Sequence, residues 1–180
     1  VAGFSCDEYD KNIVKKHEFT RPDKEKDRTD HINTLGVNSG PIFLTYKSNS
    51  EINSIIDKII TDTPNIEFMA EDNVLHTLWK VLDSKDIDNL VNRFANIPSI
   101  YIADGHHRTA AALNTQKMRA AENQKHTGQE DYNFFLGVVF PDKQLKILDY
   151  NRCIKDLNSL SPDQIIDKIK DKFVIDGIDN

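Results

Sequence analysis

Between Ser99 and Ala103 the chain is apolar, and the run stops at Asp104-Gly105. His106, His107 and Arg108 follow, and then an alanine-rich stretch with helical spacing begins. Few backbones suit this order of residues; it predicts a strand, a tight turn and a helix N-terminus. Glycine permits the turn, or a close approach of backbone to ligand. The free amides and positive dipole end of a helix favour an anion. Arg108 adds a planar fork suited to phosphate or carboxylate. Asp104 would stand at the carboxyl end of the strand, where α/β folds place ligands.

The rest of the chain reads as strands and helices interleaved. Val1 to Tyr9 is expected as a strand. Thr20 can cap a helix from Arg21 to about Leu35, with Pro22 in its first turn. Pro41 to Tyr46 reads as a strand. Ile52, Ile55, Ile56, Ile59 and Ile60 carry a helical period across Ser50 to Thr61. Ile66 to Met69 and Val74 to Val81 suggest a strand pair around Glu71-Asp72-Asn73. A helix from Ser84 to Ala95 presents Ile87, Leu90, Val91 and Phe94 on one face. The helix from His106 runs to about Gln124, and Glu122 to Asp131 is a polar loop. Phe134 to Phe140 and Leu145 to Tyr150 are expected as a hairpin. Ser159 or Ser161 caps a last helix to about Lys172, and Phe173 to Ile175 is expected as a final strand. With hairpins intruding on the alternation, the fold class is α/β with a mixed sheet and flanking helices. One domain over residues 1–180 is expected.

Charge narrows the partners. The net charge of −6 argues against a general nucleic-acid binder, which shows a basic face. Cys6 and Cys153 cannot build a disulfide framework or a four-cysteine zinc site. No stretch approaches the length of apolar residues that spans a bilayer, and no charged-then-apolar leader is seen. A cytoplasmic protein with no membrane partner is expected.

Three stretches carry candidate chemistry. The first is Asp104 to Arg108. Adjacent helical residues point in different directions, which argues against His106 and His107 sharing one metal ion. The second is the locally basic segment from Lys15 to Arg28, in which Arg21, Lys24, Arg28 and His31 fall on one helical face. This stripe could hold distal phosphates, or be a solvated face with local pairs. If it serves the same ligand, Lys24 or Arg28 should face the Asp104–Arg108 turn within about 10 Å. The third is Leu148 to Arg152, at an expected strand end. His76 and Trp79 read as packing or surface residues.

Taken together, these blocks resemble the bacterial and archaeal family called domain of unknown function 1015. The matching stretches are Val14 to Arg28, Gly40 to Tyr46, His76 to Trp79, Tyr101 to Arg108, and Phe140-Pro141 with Leu148 to Arg152. Members of that family are about twice this length, so the chain is expected to be a fragment of a longer one. The Asp-Gly-His-His-Arg block is also similar to the phosphate turns of the ParB/sulfiredoxin-like nucleotide-binding fold and of an archaeal free-serine kinase. Sulfiredoxin needs a cysteine in this turn. His106 stands in that neighbourhood here, which argues against sulfinic acid reduction.

The resemblance implies a nucleotide-dependent phosphotransferase acting on a small hydroxyl metabolite, with free serine the best single acceptor and ATP or ADP with Mg²⁺ as cofactor. Gly105, His106, His107 and Arg108 would hold phosphates, and Lys16, Arg21, Lys24 and Arg28 would add positive charge. Asp104 would accept the hydroxyl proton or position Mg²⁺, His107 would donate to a phosphoryl oxygen, and Glu18 is a reserve base. The rival expectations are a ParB-type nucleotide switch and a phosphometabolite sensor that does no chemistry.

Overall fold

The computed structural model describes residues 1–175, which fall by their contacts into two compact units, Val1–Lys146 and the stretch beginning at Ile147. The first unit is built on a mixed five-stranded sheet. Its strands are β1 (Ala2–Ser5), β2 (Val14–Lys15), β3 (Ile42–Tyr46), β6 (Ile100–Asp104) and β7 (Phe134–Pro141), in the order β1-β7-β3-β6-β2. β4 (Ile66–Met69) and β5 (Leu75–Leu78) form a separate antiparallel pair. The helices are α1 (Cys6–Asp10), α2 (Pro22–Leu35), α3 (Ser50–Ile59), α4 (Ser84–Ala95) and α5 (His106–Glu122). The expected fold class, α/β with a mixed sheet and flanking helices, is the observed one.

β3 and β6 lie side by side in the centre of the sheet and alternate as buried strands should. Ile42, Leu44 and Tyr46 on β3, and Ile100 and Ile102 on β6, enter the core with Val14, Ile52 and Phe135. α5 packs against α1 and α2 and reaches the sheet at β3 and β7. Ala110, Ala111 and Ala112 are all buried, and their small side chains let the helix approach closely. Among the described residues no helix is long and apolar enough to cross a membrane.

Three expected strands differ. The first strand ends at Ser5, whose hydroxyl accepts the Glu8 N–H and caps α1; Asp7 and Glu8 suit the first turn of that helix. Leu145 to Tyr150 forms no strand, so the expected hairpin after β7 is absent. The reason is that β7 has two edges and both are taken, by β1 antiparallel and by β3 in parallel. Phe173 to Ile175 is likewise not a strand. In the second unit, α6 (Pro162–Lys170) opens with the capping box of Ser161 and Gln164, as the serine predicted. Arg152 there covers the ring of Tyr150, 4.0 Å from its centroid, and Leu148 and Tyr150 are exposed.

Candidate phosphate-binding cleft

The strand–turn–helix reading of residues 100–108 holds residue by residue. β6 ends at Asp104, Gly105 is the N-cap with φ +106°, and α5 starts at His106. A bulge in the β3–β6 pairing pairs Leu44 with Ile102 but Phe43 with Asp104, so Ala103 is the extra residue. Strict alternation would send Asp104 to the face of Ile100 and Ile102. The bulge re-aims it, and its side chain is 74% exposed. No side chain caps α5 and its first turn holds no acidic residue, so its positive end is left for a ligand.

Arg108 bridges two segments. Its Nη2 donates to Asp104 Oδ2 at 2.8 Å and its Nη1 donates to the Pro41 carbonyl at 3.0 Å. Arg108 is therefore half-buried, held across the mouth of β3. The guanidinium lies against two glycines. A Cβ on Gly40 would stand 3.1 Å from Nη1, and one on Gly105 3.2 Å from Nη2. Gly40, Ser39 and the Pro41 carbonyl were not singled out as site residues by sequence reasoning. The Gly-Pro step before β3 was the available signal.

The two histidines act as acceptors. His107 Nε2 receives the Arg21 backbone N–H at 3.2 Å, and His106 Nε2 receives that of His17 in a long contact of 3.5 Å. An imidazole that accepts at Nε2 keeps its proton on Nδ1. In His106 that atom faces Glu18 Oε2 at 3.7 Å. His106 is 4% exposed and the His17 ring meets it edge-on at 4.4 Å. Burial foremost, then the neighbouring His17, pulls its pKa below the ordinary histidine value; Glu18 and Asp104 pull the other way without prevailing. His106 is thus a neutral anchor beneath the turn. His107 is half-buried and keeps Nδ1–H as its available donor.

These anchors bring the basic segment to the turn. One open cleft of about 660 Å³ is lined by Glu18, Arg21, Lys24, Arg28, Ser39, Gly40 and all five residues from Asp104 to Arg108. α2, started by Pro22 and ended by Gly36 at φ +71°, contributes Lys24 and Arg28 to the lining. Its N-cap is Arg21 rather than Thr20, whose hydroxyl instead donates to Glu25. Glu25 also accepts from Asn114 of α5 at 3.3 Å, tying the two helices together. Three of the cleft cations have carboxylate neighbours: Arg108 with Asp104 at 2.8 Å, Arg21 with Asp23 at 2.8 Å and Arg28 with Asp27 at 3.8 Å. Lys16 does not line the cleft; its ammonium lies over the Tyr9 ring, 4.6 Å from the centroid. Four cations, Arg21, Lys24, Arg28 and Arg108, and two carboxylates, Glu18 and Asp104, line the cleft. Among the described residues Lys24 alone of the four cations has no carboxylate within ion-pair distance.

A family model described as "Protein of unknown function (DUF1015)" matches residues 1–179, and the chain belongs to that family. No curated protein and no solved structure matches it.

Proposed function

We propose that this DUF1015 family member is a nucleotide-dependent phosphotransferase acting on a small hydroxyl substrate, with free serine the first acceptor to test. The observation that carries the reading is the single cleft in which an uncapped helix N-terminus, four cations and an exposed carboxylate meet. Phosphoryl transfer depends chiefly on positioning and charge stabilisation, and those are the groups it uses. The amides at the start of α5, the His107 Nδ1–H and the side chains of Arg21, Lys24, Arg28 and Arg108 would hold the phosphates of ATP or ADP. The acceptor oxygen bonds to the terminal phosphorus as the bond from that phosphorus to the leaving diphosphate or monophosphate breaks. The hydroxyl proton passes to the Asp104 carboxylate, whose Oδ1 has no protein partner among the described residues. Glu18 is the second carboxylate within the cleft and the reserve base.

Among the described residues no group of three or more His, Cys, Asp or Glu side chains could hold a metal ion alone. Mg²⁺ asks for less, since it binds through one or two carboxylates and the substrate phosphates. Asp104 fits that requirement, and Mg²⁺ there would neutralise phosphate charge.

The Arg108–Asp104 pair favours a second reading, in which an anion displaces Asp104 from the guanidinium and no chemistry follows. This would be a nucleotide switch of the ParB type or a phosphometabolite sensor. The test is incubation of the protein with Mg²⁺, ATP or ADP and a pool of hydroxyl metabolites that includes serine. A phosphorylated metabolite appearing in step with nucleotide loss is the expected result. Slow hydrolysis with no acceptor indicates the switch, and binding with no turnover the sensor; either overturns the phosphotransferase.

A further inference from the structure

Phe19 is 100% exposed, the most exposed large hydrophobic side chain of the described chain. An isolated exposed hydrophobe is ordinary on a protein surface. This one differs in where its backbone is held. Glu18 before it and Arg21 after it line the cleft, while the amides of His17 and Arg21 are bound by the rings of His106 and His107. The segment is therefore pinned on both sides of Phe19 to the Asp104–Arg108 turn. Some other exposed rings have companions: Phe68 stacks on His76, Phe140 meets Phe43 edge-on, and Tyr150 lies under Arg152. Among the described residues Tyr101, Phe134 and Phe173 have none, but none of them adjoins a cleft-lining residue in the chain. Phe19 has no aromatic or cationic partner among the described residues.

We infer that Phe19 is the stacking platform for the heteroaromatic base of the cleft's ligand, which makes that ligand a nucleotide rather than an inorganic or sugar phosphate. The inference rests on the phosphate-binding reading of the cleft. A nucleotide carries a charged end and a flat, weakly polar end. The cleft supplies cations for the first, and Phe19, outside the lining but next in the chain to the lining residue Glu18, offers an apolar face for the second. Stacking on an aromatic ring tolerates any base, since every base has a π-face. Preference for the nucleotide thus arises here without selection among bases.

The experiment is calorimetric titration of the protein and of Phe19→Ala and Phe19→Trp with ATP and with inorganic tripolyphosphate, which has the charge but no base. The expected result is that Phe19→Ala binds ATP roughly five- to a hundred-fold more weakly. Tripolyphosphate binding should be unchanged, and Phe19→Trp should retain or exceed parental ATP affinity. An exposed side chain holds nothing in the fold, so these variants should keep the parental unfolding midpoint. ATP affinity equal in parent and Phe19→Ala, with tripolyphosphate still bound, overturns the platform and leaves the phosphate cleft standing. Equal weakening toward ATP and tripolyphosphate also overturns it. Failure of the parent to bind either probe overturns both readings.

Discussion

The backbone N–H of Arg21 donates to Nε2 of His107 across 3.2 Å, joining residues 86 positions apart in the chain. With the weaker contact from His17 to His106, it turns a charged segment and a strand–helix turn into one site. Both histidines accept a backbone amide of the basic segment. Each fixes its own tautomer by accepting an amide, and the basic face of α2 then stands beside the start of α5. Lys24 and Arg28, expected to face the Asp104–Arg108 turn, both line its cleft.

Asp104→Asn separates chemistry from binding. A carboxylate beside bound phosphates repels them unless a metal or a reacting proton intervenes. Metal-free nucleotide affinity should therefore stay equal or rise in the variant. Phosphorylation of the acceptor should fall by about a hundred-fold or more, the usual size of a lost acid–base contribution. Both quantities are to be measured on one preparation, and full retention of turnover would remove Asp104 from the mechanism.

Arg108→Lys keeps the charge but loses the fork. Lysine cannot span Asp104 and the Pro41 carbonyl as two guanidinium nitrogens do. Nucleotide affinity should drop roughly ten- to a hundred-fold, the value of a charge-assisted hydrogen bond. Calorimetry on the folded variant checks this, and an unchanged affinity would assign Arg108 to holding the β3 entry alone.

Gly105→Ala should destabilise the protein by about 1–3 kcal/mol, because a residue with a Cβ is strained at φ +106°. The added Cβ would also stand 3.1 Å from Ile42 Cδ1 in the core. Urea denaturation of the variant beside Gly128→Ala is the fitting comparison. Gly128 also has positive φ, but nothing lies within 4 Å of its Cβ position.

Acid should reveal Glu130. Its desolvation disfavours the charge, but hydrogen bonds from the Thr127 backbone and hydroxyl and from Asn133 prevail and hold its pKa down at about 2, from 4.5. A carboxylate with a depressed folded pKa binds fewer protons in the folded state than in the unfolded one. Its stabilising contribution is complete above about 4.5, shrinks as the pH falls below that, and is gone once the pH has passed about 2. Urea midpoints of the parent should fall across that window, and Glu130→Gln should flatten this part of the slope. A Glu130→Gln profile as steep as the parent's would show that other carboxylates govern the acid limb.

Local chemistry was enough to read most elements from the chain alone. α4 spans Ser84–Ala95 as its apolar period and first residue indicated, and β6, Gly105 and α5 follow from the apolar run, the glycine and the alanines. Helix periods, caps and positive-φ glycines act over a few residues, so they are written where they operate. Strand pairing is not. Leu145 to Tyr150 has the composition of a strand, but β7 had no free edge to offer, and that depends on β1 and β3, which are distant in sequence. The site divides in the same way. The residues of the turn and the basic stripe are evident from type and spacing. Their meeting in one cleft, the bulge that turns Asp104 outward, and the tie from Arg108 to Pro41 all depend on contacts between distant segments, which only the folded packing could decide.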